Sequence, residues 1–299
     1  MTPSAPWRVV LVTRILPVAL GFSAAVQEAG HDLVALLTTR AGNRYGPVGE
    51  LEPLLAGIPA ELDVLVPGRR AAIASLLASV RPDLVVCMGF PWKIPADALA
   101  VPALGWLNGH PSLLPRHRGP IPVAWAIRDG DPEIGITFHR MDAELDTGAI
   151  LAQAAYPLGE YVEPEAMFTG MGPTILATLG VALEKLAAGE PGTVQEGGDY
   201  QSFFSDGDAW LDLSRPAGEV HRLVWGWRYA LAQDGLLGAL TELDGETVRV
   251  LASSLDEVEG ARRVECGDGP LWILVTEPVG STPEPAEATR TSAPASSTR

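Results

Sequence analysis

Cysteine is nearly absent from these 299 residues. Cys87 and Cys266 lie in apolar runs far apart in the chain, which leaves no material for a disulfide scaffold or a thiolate metal site. Lysine is as scarce, with Lys93 and Lys185 the whole complement, so the basic side is arginine and the formal net charge is −16. So acidic a surface repels phosphate backbones, and a nucleic-acid role would have to rest on a local patch. The five histidines include no i, i+3 or i+4 pair on a helix, which gives zinc no support. No apolar run approaches the ~18 residues of a membrane span, and residues 1–6 carry no basic segment leading into an apolar core. A soluble, cytoplasmic protein is therefore expected. A Gly-x-Gly-x-x-Gly turn is also missing: Thr13-Arg14-Ile15-Leu16-Pro17 follows the first apolar run, which disfavours a dinucleotide cofactor.

What is present is an alternation of strand and helix patterns. Trp7–Thr13, Asp32–Thr38, Asp63–Pro67, Asp83–Gly89 and Leu104–His110 are apolar runs that predict strands. Helices are predicted over Leu16–Ala29, stopped at Gly30, and over Arg69–Val80, where Ile73, Leu76, Leu77 and Val80 share one face. Arg40–Pro53, rich in Gly and Pro, reads as a loop. This order predicts an α/β fold with a Rossmann-like open, mostly parallel sheet, and the wholly apolar Asp83–Gly89 should be a central strand. A Pro-initiated helix follows over Pro122–Arg128. Strands Glu133–His139 and Ala149–Gln153 are joined closely enough to be antiparallel neighbours. In the helical tract Glu163–Ala188, Leu176, Leu179, Leu183 and Leu186 are expected in the core, and Gly170, Gly172 and Pro173 are expected to break or offset the helix early. From Gln201 the pattern changes to a helix over Ala217–Arg228 and short strands at Leu236–Leu240, Thr247–Ala252, Arg262–Cys266 and Leu271–Thr276, a small β-rich C-terminal unit. The expected divisions are 1–200, 201–278 and a tail over 279–299 whose composition predicts disorder.

Chemistry concentrates at one strand end. Leu104-Gly-Trp-Leu-Asn108-Gly-His110-Pro-Ser112 delivers Asn and His where an open sheet places its site, and Leu145-Asp146-Thr147-Gly148 adds a carboxylate at the close of a later strand pattern. A histidine at a strand end is by itself more often a structural, hydrogen-bonded residue. With Asp146 beside it, it gains a partner that favours and orients the imidazolium, while Asn and His together supply oxyanion donors. No Ser or Cys stands in a nucleophile elbow; Ser112 follows Pro111 in a turn, where a backbone hydrogen bond accounts for it. The set suits direct attack of an external nucleophile on a carbonyl. Two aromatics on the loop Phe90-Pro91-Trp92-Lys93-Ile94 are either a cap on the sheet or the wall of a flat ligand's pocket. Arg116 and Arg118 form a basic cluster beside the site, either a solvated turn or a grip on an anionic substrate group.

Asn108-Gly-His110-Pro-Ser-Leu-Leu-Pro115-Arg-His-Arg-Gly119, then Gly135-Ile-Thr137-x-His139-x-Met141 and Leu145-Asp146-Thr147-Gly148, resemble the 10-formyltetrahydrofolate-dependent formyltransferases. Glycinamide ribonucleotide, methionyl-tRNA and amino-sugar formyltransferases belong to that family. A weaker resemblance runs over residues 7 to about 190, and Trp210–Leu274 is similar to the small barrel-like domain of the tRNA and sugar branches. The resemblance implies 10-formyltetrahydrofolate as formyl donor and Asn108, His110 and Asp146 as the catalytic trio. It implies two pterin-facing segments, Phe90, Pro91, Trp92 and Ile94 on one side and Met141, Asp142, Ala143, Glu144 and Leu145 on the other. Ser112, Arg116 and Arg118 are the candidates for holding the amine acceptor. Against the tRNA branch stand the turn at Thr13–Pro17, Arg40 and Arg44 offset by Glu50 and Glu52, and Trp225-Gly-Trp227 where that branch has a Pro-Trp-Pro segment. Residues 203–278 hold 14 acidic and 6 basic residues, a net charge of −8 that repels RNA. The reading is formyl transfer to a small-molecule amine, an amino sugar nucleotide or an amino-acid-derived metabolite; methionyl-tRNA formylation, 10-formyltetrahydrofolate hydrolysis and folate binding without turnover are the alternatives.

Overall fold

A computed structural model describes residues 5–40, 51–159, 161, 163–230 and 238–279. Seven strands, β1 (Arg8–Val12), β2 (Asp32–Leu37), β3 (Val64–Leu65), β4 (Leu84–Cys87), β5 (Trp106–His110), β6 (Glu133–Arg140) and β7 (Ile150–Pro157), form one sheet in the order β3-β2-β1-β4-β5-β6-β7. The first five are parallel, and β6 pairs antiparallel with both β5 and β7. All four residues of β4 are buried because β1 and β5 flank it and helices cover both faces, so no position is left for a polar side chain. Alternation sorts β1 between two cores. Val9 and Leu11 face α1 (Leu16–Glu28) and its neighbours through Phe22 and Val26, whereas Val10 and Val12 pack with Ile73 and Leu77 of α3 (Ile73–Val80) on the other face.

Several helix expectations change. The predicted loop over residues 40–53 gives way at its end to α2 (Leu51–Gly57), where Pro53 sits in the first turn and costs the helix no hydrogen bond; residues 41–50, with Arg44 and Glu50, lie outside the described residues. A short α4 (Ala96–Leu99) follows the aromatic loop, and α5 (Pro122–Asp129) starts on its proline as expected. The expected break at Gly170–Pro173 does not occur: α6 (Pro164–Ala187) runs 24 residues with Pro173 inside it. Pro173 is exposed, and Met167 and Met171 before it and Ile175, Leu179 and Leu183 after it are buried on one face, which outweighs the ~3 kcal/mol of an interior proline. Leu176 departs from the expected core, being 37% exposed and lying against Gly21 of α1. By length and composition α6 is apolar enough to cross a membrane, with a mean hydropathy of 1.5; here it packs on β6, β7 and α1.

The remaining strands, β8 (Ala239–Leu243), β9 (Glu246–Ser254), β10 (Arg262–Cys266) and β11 (Gly269–Pro278), make a separate antiparallel sheet in the order β10-β11-β9-β8. Asp244 and Gly245 turn β8 into β9 with φ of 55° and 81°, the signs a tight two-residue hairpin requires. The predicted strand at Leu236–Leu240 falls partly outside the described residues, as does the tail beyond residue 279. α7 (Ala217–Tyr229) buries Ala217, Val220 and Val224 against Val250, Leu271 and Ile273 of this sheet. Its Trp225 and Trp227 donate to the carbonyls of Ser253 (3.3 Å) and Asp208 (2.8 Å), and Gly226 between them lets α7 approach the Ala124 carbonyl on α5.

Candidate active site

β5 ends in Asn108-Gly109-His110, and strand alternation puts the Asn and His side chains on one face. Gly109 is required between them, since a Cβ there would stand 2.9 Å from the Phe138 ring. The antiparallel register pairs Asn108 with His139 and His110 with Thr137. The β6–β7 connection then brings Asp146 over the same strand end, in a left-handed conformation (φ 59°) that Asp tolerates better than most residues.

Four side chains meet there. Asp146 Oδ1 lies 3.7 Å from His110 Nδ1, 3.7 Å from His139 Nε2 and 3.5 Å from Asn108 Nδ2, and the Gly119 N–H donates to Asp146 Oδ2 at 3.0 Å. The imidazole protons follow from the backbone oxygens around them. His110 Nε2 faces the His117 carbonyl at 2.9 Å and must donate to it, leaving Nδ1 as the nitrogen that turns toward Asp146. His139 Nδ1 donates to the Arg140 carbonyl at 2.9 Å, so its Nε2 accepts from Asn108 Nδ2 at 3.2 Å and fixes the amide with its NH2 group in the site.

Burial holds the His110 imidazole below its ordinary range, with Asp146 pulling it back up. Burial alone would push the Asp146 carboxyl up, but the His110 and His139 rings and the Gly119 N–H outweigh it and bring it down to about 2. The site thus holds an ionised carboxylate beside a histidine that is neutral at pH 7 and whose Nδ1 is a base when neutral and a donor when charged.

The other candidates divide into groups. Phe90 and Trp92 are half-buried, edge to face at 5.7 Å, and pack with Met141 against the core that contains the buried Ile94; Pro91 is half-buried between them. Across from them Asp142, Ala143, Glu144 and Leu145 are exposed, Asp142 Oδ1 capping the turn by accepting from Glu144 N and Thr147 Oγ1. Lys93 and Glu144 join the two segments at 3.7 Å. Ser112 is buried and donates to the Arg116 carbonyl at 2.9 Å. Arg116 pairs with Asp131, and a small cleft opens there between Arg116, His117, Asp131 and Glu133. Arg118 reaches two uncharged oxygens, Gln195 Oε1 and the Gly198 carbonyl.

The family model described as formyl transferase matches residues 66–167. The methionyl-tRNA formyltransferase of Roseiflexus castenholzii is 34% identical over 249 residues, which are 75% of this chain and 76% of that one. The chain belongs to the formyl transferase family. It is accordingly a one-carbon, formyl-transferring enzyme. Solved structures agree in fold: HypX from Aquifex aeolicus in complex with tetrahydrofolic acid (17% identity, TM-score 0.64) covers 92% of this chain, which spans 44% of that one. A sugar N-formyltransferase from a Shewanella species (20% identity, TM-score 0.61) covers 84% of this chain and 99% of its own.

Three contributors were not singled out from the sequence. His139 belongs to a quoted motif, but its role depends on the β5–β6 register, which the alternation Thr137-x-His139 only hints at. Gly119 acts through its N–H, and Gln195 lies in a segment without periodicity.

Proposed function

We propose that this chain transfers the formyl group of 10-formyltetrahydrofolate to the primary amine of a small-molecule acceptor, an amino sugar nucleotide or an amino-acid-derived metabolite. The convergence of Asn108, His110 and Asp146 within 3.7 Å, around one ionised carboxylate, carries the reading. The half-buried aromatic pair Phe90 and Trp92, packed on the same core as Met141 and tied through Lys93 to the exposed segment 142–145, fits a flat, partly apolar pterin with hydrogen-bonding edges. When bound, the folate supplies an activated formyl carbon. Asn108, released from its long 3.5 Å contact with Asp146, donates to the formyl oxygen as negative charge builds on it. Asp146 orients the His110 ring and takes the amine proton through water; passed on to the bare Nδ1, that proton makes His110 a charged donor beside Asn108, and it leaves with the folate nitrogen as the bond from the formyl carbon to that nitrogen breaks. Residues 1–200 form the transferase unit and 201–278 a flanking one. The acceptor's anionic group goes to Arg118, whose partners among the described residues are neutral oxygens, in preference to Arg116, which Asp131 already neutralises.

Charge favours a small acceptor over tRNA. Of the six arginines in 203–278, Arg215, Arg228, Arg249, Arg262 and Arg263 are each paired with a carboxylate. The tRNA reading is favoured by the similarity to methionyl-tRNA formyltransferases. Incubation with 10-formyltetrahydrofolate and a panel of amines, nucleotide-linked amino sugars and charged initiator tRNA included, separates the cases. Tetrahydrofolate released only with small amines is the expected result. Release only with the tRNA moves the conclusion to the second reading, formate without any amine makes the enzyme a hydrolase, and no release in any arm rejects transfer.

A further inference from the structure

Residues 193–201 run as a strap across both loops that build the site. At one end Thr193 and Ile150 exchange two backbone hydrogen bonds of 2.8 Å, and at the other the Gln201 N–H donates to the Arg118 carbonyl at 2.8 Å. Between them the Gln195 side chain uses both ends of its amide. Oε1 accepts from Arg118 Nε at 3.1 Å and Nη2 at 2.8 Å; Nε2 donates to the carbonyls of Asp146 at 3.0 Å and Gly148 at 2.7 Å. A guanidinium has donors only, so Arg118 dictates which end of the amide is oxygen and thereby turns the NH2 group onto the two carbonyls.

Those carbonyls bracket the turn in which Asp146 holds its left-handed φ, and in which Gly148 passes so close to the Arg140 carbonyl that no Cβ fits. A left-handed residue other than glycine costs about 1–2 kcal/mol and persists only where its surroundings fix it. Arg118 also immediately precedes Gly119, whose N–H holds the Asp146 carboxylate. One loop therefore grips both the backbone of Asp146, through Gln195, and its side chain, through Gly119.

We propose that Gln195 is a positioning residue that locks the Asp146–Gly148 turn to the Arg118 loop, so that the Asp146 carboxylate meets His110 and Asn108 at a fixed distance. The kinetic consequence rests on the transfer reaction proposed above; the structural consequence does not. A mere tie holding the strap to the body of the molecule would be served equally well by an ion pair to Arg118, and that difference supplies the test.

Gln195→Glu keeps the contact with Arg118 and loses both donors, while Gln195→Met loses all four hydrogen bonds at similar volume. In both variants kcat is expected to fall on the order of 100-fold while KM for 10-formyltetrahydrofolate moves less than about twofold. Wild-type kcat in Gln195→Glu overturns the proposal. Independently of turnover, NMR titration of the Asp146 carboxyl in Gln195→Met should move up by about one pH unit or more, because a loosened Asp146 loses the groups that hold it down and keeps its burial. An unmoved titration overturns the proposal even if no acceptor is ever found, which separates its failure from failure of the reaction.

Discussion

His110 has one committed nitrogen and one working nitrogen, and that division sets how the site responds to pH. Nε2–H is tied to the His117 carbonyl, so any proton that His110 gains or loses is gained or lost at Nδ1, facing Asp146. In the mechanism proposed above Asn108 and His110 are oxyanion donors, each worth about 2.7–4 kcal/mol of barrier, so His110→Ala and Asn108→Ala should each lower kcat 100- to 1,000-fold with folate affinity nearly unchanged in equilibrium titration. Asp146→Asn should cost about 100- to 10,000-fold through lost proton handling. The same variant has a stability signature. A carboxyl at about 2 in the fold and 3.8 when exposed contributes about 2 kcal/mol above pH 4, lost as pH falls from 4 toward 2. His110, lowered in the fold, adds an earlier loss as pH falls below 6.5, where the unfolded chain takes up the proton and the folded one resists it. Urea midpoints between pH 2 and 7 should show both stages in the wild type, and Asp146→Asn should shrink the lower one, to which Asp208, Asp212 and Asp244, also held below the ordinary carboxylate value, still contribute.

At the scale of elements, the parallel strands were legible because a strand buried on both faces must be apolar throughout, and Asp83–Gly89 could belong nowhere but the middle. The trio was legible because Asn108, His110 and Asp146 are polar interruptions at the ends of such runs. What escaped depended on geometry that pattern does not encode: α2 and α4 are too short to show a period, and His139 gains its role from a cross-strand register. Gln195 comes to the site only because the strap folds back. Pro173 misled for an energetic reason, since local propensity forbids what the packing of Met167, Met171, Ile175 and Leu179 enforces. That cost is still present in the fold and is recoverable. Pro173 is exposed, so Pro173→Ala restores a donor to the carbonyl one turn back without disturbing the core, and recovers part of the ~3 kcal/mol, less up to about 1 kcal/mol for the looser unfolded chain. A rise in Tm of about 2–8 °C in calorimetry is expected for a domain of this size; a fall would mean the proline shapes α6 against the sheet.

At the scale of the whole molecule, charge decides which acceptors can approach. A net charge of −16 surrounds a site in which Arg118 stands against uncharged oxygens, and the arginines of the C-terminal sheet are drawn into pairs with Glu277, Asp244 and Glu265. A tRNA acceptor would have to displace those carboxylates and release counterions at every phosphate it engaged, which makes log K fall by about 0.9 per contact for each decade of salt on a duplex. A small anionic acceptor makes one or two charge contacts and sheds the bulk field by its size, so its KM should rise only a fewfold between 50 and 200 mM salt. Steady-state kinetics over that range, with the amine that gives turnover, therefore measures how many phosphates the acceptor places on the protein. A loss of acceptor affinity by about 1,000-fold or more would require six or more phosphate contacts. It would also require a basic surface that residues 203–278, at −8, do not provide. Charge reversal gives the complementary measurement: Arg118→Glu should raise KM for an anionic acceptor at least tenfold while leaving that for a neutral amine less affected, since about 1.4 kcal/mol of lost attraction is a factor of ten. Equal losses for both amines would assign Arg118 wholly to holding Gln195 and leave the acceptor's charge to be met elsewhere.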